Sequence, residues 1–325
     1  MPVMGIESTA HTFGVGIYDK GKIIANQKVM YPIKDRGLIP GKVADFHANN
    51  FRLVISRALK EAKLGINDIE AIGYTKGPGL GPCLSIGQLA AKSLHQKYGI
   101  PLLPVNHALG HIEVTKQAFN LKDPLVLYVS GGNSQILGLV DSPFRHYHVF
   151  GETFDIGIGN MIDSFARAAK LVPAWGSTVA RVAEGGRYFD LPYTVKGMDF
   201  TFTGLLTSAT KALENHPVKD VAYSLQETSF SMLCEATERA LLLARKRELM
   251  VCGGVAQSAR LKEMLAMMTR SHSVRFSVSP NELNADNGAM ISVVADRMFR
   301  AGERYNDIAI TINQRYRVDT VKVTW

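Results

Sequence analysis

His107 and His111 stand four residues apart in Asn106-His107-Ala108-Leu109-Gly110-His111. On a helix that spacing puts both imidazoles on one face, one turn above the other, where their ring nitrogens can meet a single cation. Of the nine histidines, no other two stand at helical spacing. A surface or capping role for the pair is the plain alternative. Asp286, in Asp286-Asn287-Gly288-Ala289-Met290, supplies a carboxylate to join them. Two imidazoles and one carboxylate form a facial set with open positions, suited to iron or zinc acting on a bound substrate. An aspartate that opens a helix is more often its N-cap, and Asp286 is placed to do both. Tyr128 can add a phenolate. A thermolysin-like peptidase would need glutamate directly after the first histidine as its base, and Ala108 stands there.

These residues need elements to bring them together. Residues 3–7 are an apolar strand, 8–12 a polar turn, 13–18 an alternating second strand and 23–29 a third. Residues 125–149 repeat the plan: a strand at 125–129, the turn Ser130-Gly131-Gly132-Asn133-Ser134, and a returning strand at 135–140. A second likeness follows. Strand 69–74 enters Gly77-Pro78-Gly79-Leu80-Gly81-Pro82, then a helix at 85–98 and a strand at 101–105 that runs into Asn106-His107. Strand 248–251 enters Cys252-Gly253-Gly254-Val255-Ala256, then a helix at 258–269 and a strand at 274–278, followed by a helix that Asp286 opens and that runs to about 300.

A period of half the chain excludes a solenoid and predicts two related α/β lobes. The repeats resemble those of the actin, sugar-kinase and heat-shock ATPase superfamily, and the resemblance implies a duplicated two-lobe α/β fold of that kind with a central cleft. The lobes are expected at 1–124 and 125–325, with 287–325 able to pack back on the first. The two histidines and Asp286 would then reach the cleft from opposite sides. Hydrophobic residues at 46% and charged residues at 20% suit a globular protein with a full core, and no apolar run reaches membrane-spanning length. The net charge of +8 is a mild hint of a polyanionic partner. Cys83, Cys234 and Cys252 are scattered and indicate no disulfide framework. The first residues carry no signal peptide, so a cytoplasmic protein is expected. A Walker A sequence is absent, which disfavours a P-loop NTPase.

The ordered set of motifs resembles the TsaD family, also called Kae-type proteins, in its archaeal form. Residues 76–82, 106–113, 128–133 and 150–153 carry the likeness, together with Gly159, Asn160, Asp163, residues 196–199, 253–256 and 286–290. It spans Gly5 to Trp325. The resemblance implies an acyltransferase that moves threonylcarbamoyl from threonylcarbamoyl-AMP to N6 of adenosine 37 in tRNAs reading codons that begin with A. It implies one divalent transition metal, iron or zinc, held by His107, His111, Tyr128 and Asp286. Contacts to the adenylate, or to ATP or ADP, would come from Tyr128, Val129, Ser130, Gly131, Gly132, Asp163 and Gly176, with Ala180 and Ser258 at two further nucleotide positions. The partners it implies are tRNA and the KEOPS subunits: a small dimerising subunit on the first lobe, a Bud-type small kinase and a further accessory subunit.

The chemistry of these residues agrees with the likeness. Glycines in Ser130-Gly131-Gly132 let backbone donors approach a phosphate, and Asp163 can accept from ribose hydroxyls. Several positions depart from the family's pattern. Ala180 stands where relatives carry an acid, Gln257-Ser258 replaces Ala-Asn, and Ile39, Gly41 and Lys42 interrupt a His-Pro-Arg-Glu-type stretch. The departures predict weaker nucleotide binding and leave the four metal positions intact. Glu7, Ser8, His11 and His47 are the candidates to take the amine proton, though residues of these types are more often structural or solvent-exposed. The rival reading is an ATP-binding scaffold or small-molecule kinase of the same superfamily, which would need no metal set of this kind.

Overall fold

Alternation along residues 13–17 puts Phe13, Val15 and Ile17 on one face of a strand and Gly14 and Gly16 on the other, yet all five are buried. A strand buried on both faces needs two covering layers, and the fold supplies them. The computed structural model describes residues 1–32, 38–306 and 309–325. In chain order come β1 (Val3–Glu7), β2 (Thr12–Asp19), β3 (Lys22–Met30), α1 (Pro40–Ala62), β4 (Ala71–Gly77), α2 (Gly81–Tyr98), β5 (Leu102–Asn106) and α3 (His107–Phe119). Then follow β6 (Leu125–Val129), β7 (Ser134–Val140), β8 (His146–Glu152), α4 (Ile158–Ala168), α5 (Gly176–Ala183), β9 (Val195–Lys196), β10 (Asp199–Phe200) and α6 (Thr203–Ala212). The chain continues through α7 (Val218–Leu243), β11 (Glu248–Cys252), α8 (Ala259–Ser271), β12 (Arg275–Val278), α9 (Asn281–Asn284) and α10 (Gly288–Arg300).

One five-stranded sheet has the order β3-β2-β1-β4-β5 and the other β12-β11-β6-β7-β8. Read from the opposite edge, the second repeats the first: a meander followed by two strands added on its far side. In the first, β1 is antiparallel to β2 and parallel to β4, and β4 is parallel to β5. In the second, β6 is antiparallel to β7 and parallel to β11, and β11 is parallel to β12. The duplicated mixed α/β plan expected from the sequence is present. Helix α2 starts at Gly81, four residues earlier than predicted, because Pro82 sits in its first turn, where the missing N–H costs nothing.

The described residues form two compact units. The first comprises Met1–Gln117, Asp141–His146 and Ala285–Trp325, the second Ala118–Val140 and Tyr147–Asn284. Asp141–His146 join the first unit and residues 118–124 the second. Residues 285–325 also belong with the first unit, in line with 287–325 packing back on the first lobe, and Asp286 goes with them. Sterics explain why. Helix α10 lies on the glycine face of the first sheet, so near that a Cβ on Gly16 would stand 2.2 Å from the Ala289 nitrogen, and one on Gly5 2.2 Å from the Ser292 nitrogen. A Cβ on Gly288 would in turn meet the Gly16 nitrogen at 2.1 Å. The sheet's other face, with Met4, Ile6, Phe13, Val15, Ile17 and Tyr74, packs with Val54 and Ala58 of α1 and Ala90 and Ala91 of α2. The second unit has its own core around Leu125, Leu127, Phe165, Leu225, Phe230 and Leu233. No helix among the described residues is long and apolar enough to cross a membrane.

Backbone against backbone leaves no side chain free to yield. Gly16→Ala should therefore cost about 2 kcal/mol or more, the scale of overpacking in a close-packed interior. Gly204→Ala, whose new Cβ meets open space, should be neutral or slightly stabilising. Denaturant melts of the two proteins compare them directly, and equal midpoints would disprove the seam.

Candidate metal centre and nucleotide cavity

Strand β5 passes into α3 without a loop, Asn106 ending one and His107 beginning the other. His111 follows one turn on, and Gly110 between them lets α3 run close to α10: a Cβ there would stand 3.1 Å from Met290 Cγ. Asp286 arrives from the start of α10. The ligand atoms of His107, His111 and Asp286 all lie within 4.8 Å of one another. Asp286 Oδ1 is 3.6 Å from His107 Nε2 and 3.4 Å from His111 Nε2. Those separations are long for hydrogen bonds. They match the roughly 3.3 Å between neighbouring ligands of one ion with bonds of about 2.0–2.1 Å in tetrahedral geometry. Two borderline-soft nitrogens and one oxygen are also a donor set that suits a divalent transition metal. The residues fit the group.

Asp286 is not the helix cap. Asn287 is, its Oδ1 accepting from Met290 N at 3.0 Å, so the Asp286 carboxylate is left to face the histidines. All three donors belong to the first unit, which corrects the expectation that they approach from two lobes. Tyr128 lies in the second unit, fully buried in β6.

Glu7, named from sequence only among possible proton acceptors, proves to be the support of the site. It is fully buried at the end of β1. Its Oε2 accepts from Thr75 Oγ1 at 2.7 Å and from His107 Nδ1 at 3.0 Å. Its Oε1 accepts from Thr9 N at 2.6 Å and Thr9 Oγ1 at 2.5 Å. A carboxylate can only accept, so Nδ1 of His107 carries a proton whatever the charge of the ring, and Nε2, the nitrogen that gains or loses the second one, is turned toward Asp286. Burial is the largest influence on His107 and opposes its charge, yet Glu7 and Asp286 together outweigh it and raise its pKa to about 9. For His111 burial prevails and the pKa falls. Burial alone would raise Asp286, but the two histidines reverse that and hold it well below the usual carboxylate range.

The other three candidate proton acceptors separate cleanly. Ser8 and His47 are fully buried, His47 between the Phe13 and Phe46 rings. Burial brings its pKa down to about 4. His11 keeps partial exposure.

A cavity of about 620 Å³ opens in the second unit. Of the predicted nucleotide residues, Gly131, Asp163, Gly176, Ala180 and Ser258 line it. Ser130 and Gly132 flank Gly131 in the turn, which is closed by Ser130 N donating to Asn133 O at 2.8 Å. Tyr128 and Val129 are buried within the sheet and do not line the cavity. Burial raises the Asp163 pKa, against the pull of Arg167 and the Gly176 amide. Ser258 caps α8, its Oγ accepting from Leu261 N, so its hydroxyl already serves the helix. Sequence reading passed over Glu184 and Arg181, which also line the cavity. Glu184 stands four residues after Ala180, one helical turn on, and that spacing was the available signal.

A model of the TsaD family, described as tRNA N6-adenosine threonylcarbamoyltransferase, matches residues 21–293. The tRNA N6-adenosine threonylcarbamoyltransferase of Thermococcus sibiricus is 45% identical over 328 residues, covering 100% of both chains. That of Sulfurisphaera tokodaii is 42% identical over 100% of this chain and 98% of its own. A probable bifunctional tRNA threonylcarbamoyladenosine biosynthesis protein of Thermoplasma acidophilum is 43% identical, with this chain spanning 61% of its length. Among solved structures, full-length HypF in its phosphate- and nucleotide-bound form aligns at TM-score 0.62 and 12% identity, over 91% of this chain and 55% of that one. The ROK hexokinase of Thermus thermophilus aligns at 0.51 and 16%, over 92% and 99%. Identities so low carry the fold alone, the duplicated architecture of sugar kinases and their relatives. Sequence likeness carries more: the chain belongs to the TsaD family of tRNA N6-adenosine threonylcarbamoyltransferases.

Proposed function

We propose that the chain transfers the threonylcarbamoyl group of threonylcarbamoyl-AMP to N6 of adenosine 37 in tRNAs reading codons that begin with A. The observation that carries this reading is the convergence of His107, His111 and Asp286 with Glu7 fixing the first imidazole. A phosphotransferase of the same fold has no need of such a set. A divalent transition metal, iron or zinc, held there would supply Lewis acidity and a template for an anionic acyl donor. Tyr128 is a further proposed ligand.

The cavity's volume lies within the range of small-molecule sites. Asp163 would accept from the ribose hydroxyls, and the Gly131 and Gly132 amides of the turn that Ser130 N closes would meet the phosphate. In the transfer, the exocyclic amine bonds to the carbamoyl carbon and gives up a proton. The bond from that carbon to the phosphate oxygen breaks, and AMP departs with its charge met by those amides. The target adenosine must leave its stack to be reached. No RNA-binding module is evident in the sequence, and charge attraction alone would hold tRNA weakly and with steep salt dependence. Much of the grip is therefore assigned to the KEOPS subunits.

Purified protein should carry about one transition metal per chain, and His107→Ala or Asp286→Ala should lose most of it. Elemental analysis decides this; full occupancy in the double variant would refute the set. Without metal, His107 holds a proton up to about pH 9, which a metal must displace. Calorimetric affinity should then climb about tenfold per pH unit from about pH 7 and level off near 9, whereas a flat profile would contradict the donor role of His107.

With Ala180 in place of an acid, Ala180→Glu should tighten adenylate binding by roughly 1–2 kcal/mol; unchanged or weaker binding would mean the ribose is held elsewhere. Finally, this chain with tRNA, ATP, threonine, bicarbonate and an adenylate-forming synthase should modify tRNA much faster when KEOPS subunits are added. Equal rates would remove the dependence. No product in either mixture, with metal bound, would favour a nucleotide-binding scaffold.

A further inference from the structure

The helix that carries the two histidines is capped by a residue with a second attachment. Asn106 is 1% exposed. Its Oδ1 accepts from Ala108 N at 3.0 Å and Leu109 N at 3.3 Å, meeting two of the amides that a helix start leaves open. Its Nδ2 donates to the backbone carbonyl of Tyr316 at 2.9 Å, 210 residues further along the chain. One carboxamide thus joins the start of α3 to the carboxy-terminal segment.

That segment is moored around the joint. Asn313 N donates to Lys76 O at 2.8 Å, and Gly79 N donates to Gln314 O at 3.2 Å. The Lys76 ammonium sits 5.1 Å from the centroid of the Tyr316 ring. Upstream, Ile310 O accepts from Gln88 Nε2 at 2.8 Å and from Lys92 Nζ at 2.9 Å. Gly77 admits the segment edge-on, since a Cβ there would stand 1.8 Å from Asn313 O.

If the segment lifts away, the buried Nδ2 group loses its acceptor. Rotating the amide to find another withdraws Oδ1 from Ala108 and Leu109 and loosens the first turn of α3, which is the turn that aims His107. From this shared carboxamide we infer that Asn106 is a positioning residue that couples docking of residues 309–316 to the affinity of the histidine–aspartate site. The inference rests on reading His107, His111 and Asp286 as a metal site. Coupling is reciprocal, so metal must also tighten the segment.

The test uses the full-length chain and zinc as the probe. Asn106→Asp keeps the capping acceptor, an equally good cap, and loses the donor to Tyr316. Asn313→Pro removes the N–H that binds Lys76 O and touches neither α3 nor any donor atom. Competition with a chromophoric chelator should show zinc affinity reduced roughly tenfold in both, the scale of outer-shell substitutions at metal sites. Hydrogen exchange at residues 309–316 should slow on adding zinc to the wild type and not to His107→Ala, a response that simple structural support would not give. Zinc affinity equal to wild type in both variants, with exchange indifferent to zinc, would overturn the coupling alone. Absence of zinc binding in the wild type would overturn the metal reading and the coupling with it. Should Asn313→Pro fail to fold, Asn106→Asp and the exchange experiment still decide.

Discussion

A helix backbone resting on a strand backbone is the constraint from which the candidate centre follows. Helix α10 approaches β1 and β2 so closely that Gly5, Gly16 and Gly288 admit no Cβ without collision. Such a seam has one depth and one register, because no flexible side chain lies between the layers to take up a shift. Asp286 sits two residues before α10 begins. Its position is therefore set by the sheet rather than by a loop. Gly110 applies the same rule to α3, letting the histidine helix approach Met290 and Ile291. The three donors meet because two helices are seated on rigid neighbours, the arrangement that metal affinity demands of a scaffold.

Burial makes that meeting expensive unless something balances it. His111 is almost sealed, His107 nearly so, and Asp286 keeps 20% of its side chain exposed. Placing charges in such surroundings costs several kcal/mol per ion unless each is paired and hydrogen-bonded. Glu7 illustrates a satisfied case, with four donors on its two oxygens. Among the described residues Asp286 has no comparable set: its oxygen stands 3.6 Å and 3.4 Å from the two imidazoles, beyond good hydrogen-bond length.

How far the sequence could be read depends on the range of the signal. Strand alternation and the strand–turn–helix repeat are local, and β1 to β5 and β6, β7, β11 and β12 lie within a few residues of their predicted places. The i, i+4 histidine pair is local too, and α3 presents it as expected. What stayed hidden is tertiary. Nothing in the sequence near Asp286 distinguishes a cap from a ligand, and the structure gives the cap to the adjacent Asn287. Glu7 is polar within an apolar strand, a visible anomaly, but its partner His107 is 100 residues away. The return of 285–325 to the first unit is written in the glycines at 5, 14 and 16. A strand glycine read alone signals a bulge or a close approach without naming the neighbour. Ser258, at a position where the family carries asparagine, lines the cavity but spends its hydroxyl on capping α8.

The two histidines, identical in type and one turn apart, are electrostatically unlike. His107 has Glu7 behind it and keeps a proton to about pH 9, while burial keeps His111 neutral. Without metal the triad therefore holds one proton beyond those of its two neutral imidazoles, on the imidazole that a carboxylate supports from each side. That proton neutralises charge but cannot satisfy geometry, since Asp286 Oδ1 stands 3.6 Å from His107 Nε2 and 3.4 Å from His111 Nε2. A cation that accepts three lone pairs at once answers both demands. The same Glu7 that makes the proton harder to remove would strengthen His107 as a donor to a bound metal, because a carboxylate behind an imidazole increases its basicity toward any acid. Affinity for a metal and competition from protons would then rise together, with one buried glutamate setting their balance.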